Sequence, residues 1–339
     1  METAPLSADA LRSLVESVSI DEETVETFRR DGIVHLKQVL SPEQVESVRA
    51  AANEAVANPG PLAELIRADT NWENLYEQNG NGKGEEDKEG TGKKLSVDWE
   101  SVEMFQDLEM HCRLPSFRRL VAELPCGGIL ARLAGSSRVC FFYDHLIIKR
   151  GGTKKEIPFH QDLPYWKVKD PNVFTAWIPL DPMPEEDAVE FVASSHRWGL
   201  FRPRHFVDQS DYEGVSDLPP MPDIKEMRAE GKAKALRFGV QPGDLLCFDA
   251  RIVHGSPGNS QTDGQKQRRL ALRFAGDGHT YVDHGRETAV PTEAVTNAAG
   301  LKTGDPLWSA PLFFPLVWPP EDAVKNEKRF APPLVQKLQ

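Results

Sequence analysis

The chain has only four cysteines, and no two are close enough to form a metal or redox pair. Cys112, Cys126, Cys140 and Cys247 show no C-x-x-C spacing. That excludes a zinc ribbon and a disulfide framework, and predicts reduced, buried thiols in a cytoplasmic protein. No run approaches the roughly eighteen apolar residues of a membrane span. The first residues, METAPLSADALRSLVESVSIDEET, are acidic and lack the basic-then-apolar form of a secretory leader. Positive charge is short as well. The 40 Lys and Arg stand against 52 Asp and Glu, a formal net charge of -12, so neither nucleic acid nor an anionic membrane is an expected partner. G-x-G-x-x-G after a strand, a P-loop and G-x-S-x-G are missing, and with them the usual nucleotide and serine-hydrolase readings. There is no internal repeat.

What is present is an ordinary globular composition, 40% hydrophobic and 27% charged. Residues 5–20 carry Leu6, Leu11, Leu14, Val15 and Val18 at helical spacing. Asp21 is placed to cap a second helix through Val25 and Phe28, which Asp31-Gly32 ends. Ile33–Lys37 reads as a short strand, and Ser41-Pro42 opens a third helix. His35, alone among apolar residues, reads as structural. The polar, glycine-rich stretch near 78–94 reads as a flexible loop, either plain surface or a lid. Residues 95–134 return to helical patterning.

After Gly135 the pattern changes to strands: Val139–Lys149, Phe174–Leu180, Glu190–His196, Leu245–His254 and Arg268–Asp277. Many short strands between turn signals, with helices gathered at the front, predict a mainly β protein with a helical wrap, a sandwich or barrel.

The chemistry centres on Pro158-Phe159-His160-Gln161-Asp162-Leu163-Pro164-Tyr165-Trp166. On a strand, His160 and Asp162 point to one side, which is two-thirds of the 2-His-1-carboxylate triad of non-haem Fe(II). H-x-D alone also fits a pair of hydrogen-bonding side chains at a strand end. His254 ends a later apolar strand and opens into Gly255-Ser256-Pro257-Gly258. In a sheet closed on itself, inward positions of distant strands converge, so His254 can supply the third ligand.

The segments H-Q-D-L-P-Y-W, F-T-A-W-I-P-L, Q-P-G-D-L-L-C-F-D-A-R-I-V-H-G-S-P-G-N and R-R-L-A-L-R-F-A-G-D, with the tail G-L-K-T-G-D-P-L-W, together resemble the phytanoyl-CoA dioxygenase family. That is a branch of the Fe(II)/2-oxoglutarate-dependent oxygenases. The resemblance covers about residues 25–320. It implies a double-stranded β-helix (jelly-roll, cupin-like) core and a single oxygenase domain over 1–339. Within it, 1–134 would be mostly helical, 135–285 the jelly roll and 286–339 a tail. It implies His160, Asp162 and His254 as catalytic iron ligands, and Fe(II), 2-oxoglutarate and O2 as cofactor and co-substrates. His145, Lys149, Trp177 and Ser256 match positions that contact 2-oxoglutarate, and Gln161 joins that set. His196 matches a histidine that is not a ligand.

The far carboxylate of 2-oxoglutarate calls for an arginine fork. The family's arginine falls on Gln267, so the expectation passes to Arg268 or Arg269, with Arg268 preferred as the nearer neighbour. The resemblance further implies decarboxylation of 2-oxoglutarate to succinate and CO2, coupled to hydroxylation or another oxidation of a substrate C–H bond. A carboxylate at Asp162 disfavours halogenation, since halogenating relatives carry a small residue there. Phe159, Tyr165, Trp166, Trp99, Phe105 and Arg251 are candidate pocket residues. The substrate reads as a small metabolite or natural product. An acyl-CoA thioester, a cupin-like metal isomerase or hydrolase, and a non-catalytic binding protein on the same fold are the alternatives.

Overall fold

The front of the chain is set by side chains that take up backbone N–H groups at helix starts. The computed structural model describes residues 6–67, 73–74, 102–169, 171–206, 210–215, 217–261, 265–286 and 293–322; the 78–94 stretch and Trp99 lie outside them. Ser7 caps α1 (Ala8–Ser17), and Asp21 caps α2 (Glu22–Asp31) by accepting from Thr24 N at 2.8 Å. Gly32 stops α2 in the left-handed region at φ 83°, where a side chain would be strained and would also meet His196. Ser41 and Gln44 form a reciprocal capping box on α3 (Pro42–Ala57).

Among the described residues, fifteen strands follow the alternation of side-chain direction. They are β1 (Ile33–Leu36), β2 (Glu64–Arg67), β3 (Glu73–Asn74), β4 (Val102–Leu108), β5 (Val139–Lys149), β6 (Ile157–His160), β7 (Val168–Lys169), β8 (Val173–Pro179), β9 (Glu190–Val192), β10 (Ala235–Leu236), β11 (Leu245–Asp249), β12 (His254–Ser256), β13 (Gln267–Gly276), β14 (Thr280–Tyr281) and β15 (Leu316–Trp318). The large sheet runs β1-β11-β8-β13-β5-β4-β2-β3, with β15 also on β5; the small sheet runs β10-β9-β12-β6; β14 pairs β7. These pairings are antiparallel. The architecture is the jelly roll that the resemblance implied.

One expectation is corrected. Residues 95–134 are not helical throughout: Val102–Leu108 is a strand paired with β5, and helices occupy Pro115–Glu123 and Cys126–Ala134. The large sheet also draws β1 to β4 from before residue 135 and β15 from the tail.

The helices pack on one face of the large sheet. Leu146 and Ile148 of β5, Phe174 and Ile178 of β8, and Leu270 and Leu272 of β13 join Val48, Phe117, Ile129 and Leu130 in one dry core. Each such side chain contributes about 2 kcal/mol by leaving water. Arg49 of α3 clamps this layer, its Nε and Nη2 donating to Leu180 O at 2.9 and 2.6 Å. The intervening residues of the same strands face the small sheet and enclose a cavity. His35 is structural as expected, with Nε2 3.0 Å from Asp244 Oδ2. All four cysteines are free and buried. Among the described residues no helix is long and apolar enough to cross a membrane.

Candidate active site

His160 ends β6, His254 opens β12, and the register pairs them directly across the small sheet. Their ring centroids are 4.3 Å apart. Asp162 does not continue the strand. Its backbone is helical (φ -70°, ψ -43°) and starts the short turn Leu163–Tyr165, which brings the carboxylate back toward both rings. Its Oδ1 lies 3.6 Å from His160 Nε2 and 3.8 Å from His254 Nε2, and the three candidate ligand atoms all fall within 4.8 Å of one another.

Backbone carbonyls set the tautomers. His160 Nδ1 donates to Pro158 O at 2.8 Å and His254 Nδ1 to Ile252 O at 3.0 Å, so each Nε2 keeps its lone pair toward Asp162. Burial, reinforced by His160, pushes the His254 imidazole down to about 4, which keeps it neutral. Burial alone would raise the Asp162 carboxyl, but the guanidinium of Arg273, the largest opposing influence, helps to hold it well below the usual range. Two lone pairs and a carboxylate aimed at one point repel each other unless a cation sits between them. The donor set, two imidazoles and one carboxylate on one side, fits Fe(II) with positions left open.

The cavity beside this triad has a volume of about 560 Å³. His145, Trp177, Ser256 and Arg269 line it. Arg269 is 3% exposed and its Nη2 has no hydrogen-bond partner. Burial lowers its guanidinium to about 10, which leaves it charged at neutral pH. The structure turns Arg268 away, against the preference for it. Successive residues of β13 face opposite sides, and Arg268 grips Asp181 from the other face, Nε to Oδ2 at 2.9 Å and Nη2 to Oδ1 at 2.7 Å. Gln267 shares the parity of Arg269 but is bonded to Asp187, with Nε2 3.2 Å from Oδ2.

Two further expectations are corrected. Lys149 lies behind the cavity wall, its ammonium donating to Lys155 O at 3.2 Å, Ser256 Oγ at 2.9 Å and Pro257 O at 2.6 Å. It holds Ser256 and presents no donor to the cavity; burial and then Arg269 push its pKa down. Gln161 is turned to backbone, donating to Gly199 O and Arg251 O and accepting from Phe201 N. Among the candidate pocket residues, Tyr165 and Trp166 line the cavity. Phe105 sits in the dry core, Phe159 packs by Val192 and Ile224, and Arg251 grips Asp249 at 2.9 and 2.7 Å. His196 is no ligand; its Nε2 lies 3.2 Å from Arg29 O.

Sequence reasoning missed several wall residues. Arg273 is one, and the signal was available: it shares strand parity with Arg269. Its Nη2 lies 3.3 Å from Asp162 Oδ2. Its guanidinium carbon sits 5.6 Å from the Tyr143 ring centroid and 5.4 Å from that of Trp166. Burial raises the Tyr143 hydroxyl, and Arg273 opposes that shift. Phe206 packs edge-on against His160 with centroids 4.8 Å apart. On the opposite wall His145 Nε2 donates to Gln106 Oε1 at 3.1 Å, and Gln106 Nε2 donates to Glu64 Oε2 at 2.6 Å. Burial, reinforced by Arg273, pushes His145 down to about 3, so it too is neutral.

Comparison with known proteins places this geometry. Residues 28–269 match the family model for phytanoyl-CoA dioxygenase (PhyH). The ectoine dioxygenase of Sphingopyxis alaskensis is 23% identical over 250 residues, covering 68% of this chain and 69% of that protein. Among solved structures, the non-haem alpha-ketoglutarate-dependent carbocyclase SnoK from nogalamycin biosynthesis aligns with a TM-score of 0.61 at 20% identity, over 93% of this chain and 100% of that one. The ectoine enzyme EctD from S. alaskensis, with 2-oxoglutarate and 5-hydroxyectoine, aligns with a TM-score of 0.53 at 18% identity, over 78% of this chain and 79% of that one. Fold, triad and family model agree: the chain belongs to the phytanoyl-CoA dioxygenase family and is a non-haem iron, 2-oxoglutarate-dependent dioxygenase.

Proposed function

We propose that His160, Asp162 and His254 hold the iron, and that Arg269, with Ser256 and Trp177, seats the far carboxylate of 2-oxoglutarate. The enzyme then oxidises a C–H bond of a small organic metabolite or natural product, with hydroxylation as the default outcome. The observation that carries the reading is the convergence of two Nε2 lone pairs and one carboxylate oxygen at the wall of the cavity. When bound, iron and 2-oxoglutarate would activate O2, the oxidant: one oxygen atom ends in succinate as CO2 leaves and the other goes to the substrate.

The chain's own residues bind, orient and exclude water. Arg269 offers a planar fork to a carboxylate in a site of low dielectric. Lys149 fixes the Ser256 hydroxyl beside it. Pro158 and Ile252 carbonyls keep both imidazoles in the metal-binding tautomer. Phe206, Tyr165 and Trp166 form an aromatic wall that keeps water from the reacting carbon.

Size and charge support a small substrate. The cavity volume is that of a site for a drug-sized molecule. An acyl-CoA thioester would want cations for its phosphates, yet Glu64 and Glu156 line the wall beside Lys155. The relatives named as a dioxygenase and a carbocyclase fit one shared first step, removal of hydrogen from carbon.

The test is an anaerobic titration with Fe(II) and then 2-oxoglutarate, following the charge-transfer band at about 500 nm that reports keto-acid chelation at an open site. Wild type should develop the band, and His160→Ala should not. Bound iron without the band in wild type would overturn the assignment of the site.

A further inference from the structure

We propose that Arg273 reads an acidic group of the substrate: it binds a carboxylate, or an oxyanion of the same charge, beside the iron. The inference rests on the reading of the cavity given above and names the substrate class that this cavity takes.

Arg273 is 6% exposed and lines the cavity. Its Nε and Nη1 have no hydrogen-bond partner, and the contact of Nη2 with Asp162 Oδ2 at 3.3 Å is an ion pair by distance without a hydrogen bond's alignment. A guanidinium carries five N–H donors, and burying such a charge unpaired is strongly unfavourable. The rings of Tyr143 and Trp166, set at 85° to each other, lie beside the guanidinium, whose carbon is 5.6 and 5.4 Å from their centroids, and Nε and Nη1 remain the donors that can take a ligand.

Charge balance points the same way. Iron(II), the Asp162 carboxylate, the co-substrate dianion, and the guanidiniums of Arg269 and Arg273 leave one positive charge over. Asp162 cannot neutralise Arg273 fully once a metal claims the same carboxylate. Other cavity charges are placed elsewhere. Glu64 stands on β2, three strand spacings from β13, or about 14 Å away. Lys155 and Glu156, opposite in sign, both precede β6 at its far end, where Glu156 acts on Lys149. A monoanionic substrate completes the balance at Arg273.

The far carboxylate of the co-substrate does not serve both arginines. Arg269 and Arg273 lie on one face of β13 with Ala271 between them, separated along the strand by about 14 Å. The far carboxylate is therefore held at Arg269, and Arg273 stands at the metal end, beside Asp162. Ala271 also leaves the wall between them free of bulk, as an organic substrate needs.

The experiment uses the full chain loaded anaerobically with Fe(II) and 2-oxoglutarate. Benzoate and cyclohexanecarboxylate are titrated against benzamide and cyclohexanecarboxamide, reading the perturbation of the charge-transfer band. Wild type should bind the acids about tenfold or more tighter than the amides. Arg273→Gln should lose that preference while its 2-oxoglutarate titration stays within about threefold of wild type, and Arg273→Lys should keep part of the preference. Equal or absent binding of the acids in wild type overturns the proposal. So does a loss of 2-oxoglutarate affinity in Arg273→Gln as large as that in Arg269→Gln, which would make the guanidinium a co-substrate contact. If Arg273→Gln fails to fold, Arg273→Lys carries the comparison, its preference for acid over amide falling below that of wild type. A missing band in wild type is a different result, and counts against the iron site itself.

Discussion

On its helix side the large sheet presents Leu146, Ile148, Phe174, Ile178, Leu270 and Leu272 to a dry core. On its cavity side the alternate residues of the same strands include His145, Thr175, Trp177, Arg269 and Arg273. On β8 and β13 the buried side-chain polar atoms without partners lie on the second side: Thr175 Oγ1, Gln267 Oε1, Arg269 Nη2, and Nε and Nη1 of Arg273. Each such group opposes folding, and the apolar face of the same strands offsets it. The division lets cavity residues be chosen for chemistry, because stability is supplied one residue away.

Substitutions on the two faces should therefore separate stability from binding. Leu272→Ala, at a fully buried position of the dry face, should cost about 2–5 kcal/mol in denaturant unfolding, while the folded protein still takes up iron. A loss below about 1 kcal/mol there would break the comparison. Arg269→Gln should do the reverse: 2-oxoglutarate affinity falls about a hundredfold in the charge-transfer titration, and unfolding stability holds or rises because a buried cation is gone. Its neighbour Arg268→Gln should leave that titration unchanged and cost less than about 1 kcal/mol.

A smaller effect sharpens the boundary between the faces. Glu109 follows β4, where its backbone N–H donates to Asp144 O. Burial, with Asp144 adding to it, pushes its carboxyl up to about 8. The folded chain holds this proton at pH values where the unfolded chain has released it. Its contribution is thus fully present below the unfolded value of about 4.3 and is lost as pH rises through the folded one. Thermal unfolding of wild type should weaken from about pH 5 to above 8. Glu109→Gln should flatten that slope at the alkaline end; an unchanged slope would remove Glu109 as its source.

Much of this was legible beforehand, for reasons that differ by residue. The caps at Asp21 and Ser41 act within a few residues of themselves, so local chemistry identifies them. The candidate triad is legible because few residue types can bind iron. Val102–Leu108 was misread as helical because its apolar residues Met104, Phe105 and Leu108 suit either period over so short a run; pairing with β5 decides it. Arg268 was preferred over Arg269 by nearness in sequence, although on a strand parity outranks nearness. Lys149 and Gln161 could not be placed, because the carbonyls that occupy them come from Lys155, Pro257, Gly199 and Arg251, and no sequence pattern announces a backbone acceptor.

The pairing of His160 with His254 has a consequence for how the protein is made. β6 has four residues and β12 three, too few for side-chain packing alone to specify their alignment strongly. A slip of one position would turn one imidazole to the opposite side of the sheet. A divalent ion that needs both rings binds the aligned chain and not the slipped one, and binding to one form draws the population toward it. In the proposed site, iron is thus also a proofreader of strand pairing, and chains synthesised under iron starvation are the ones in which misaligned copies should persist.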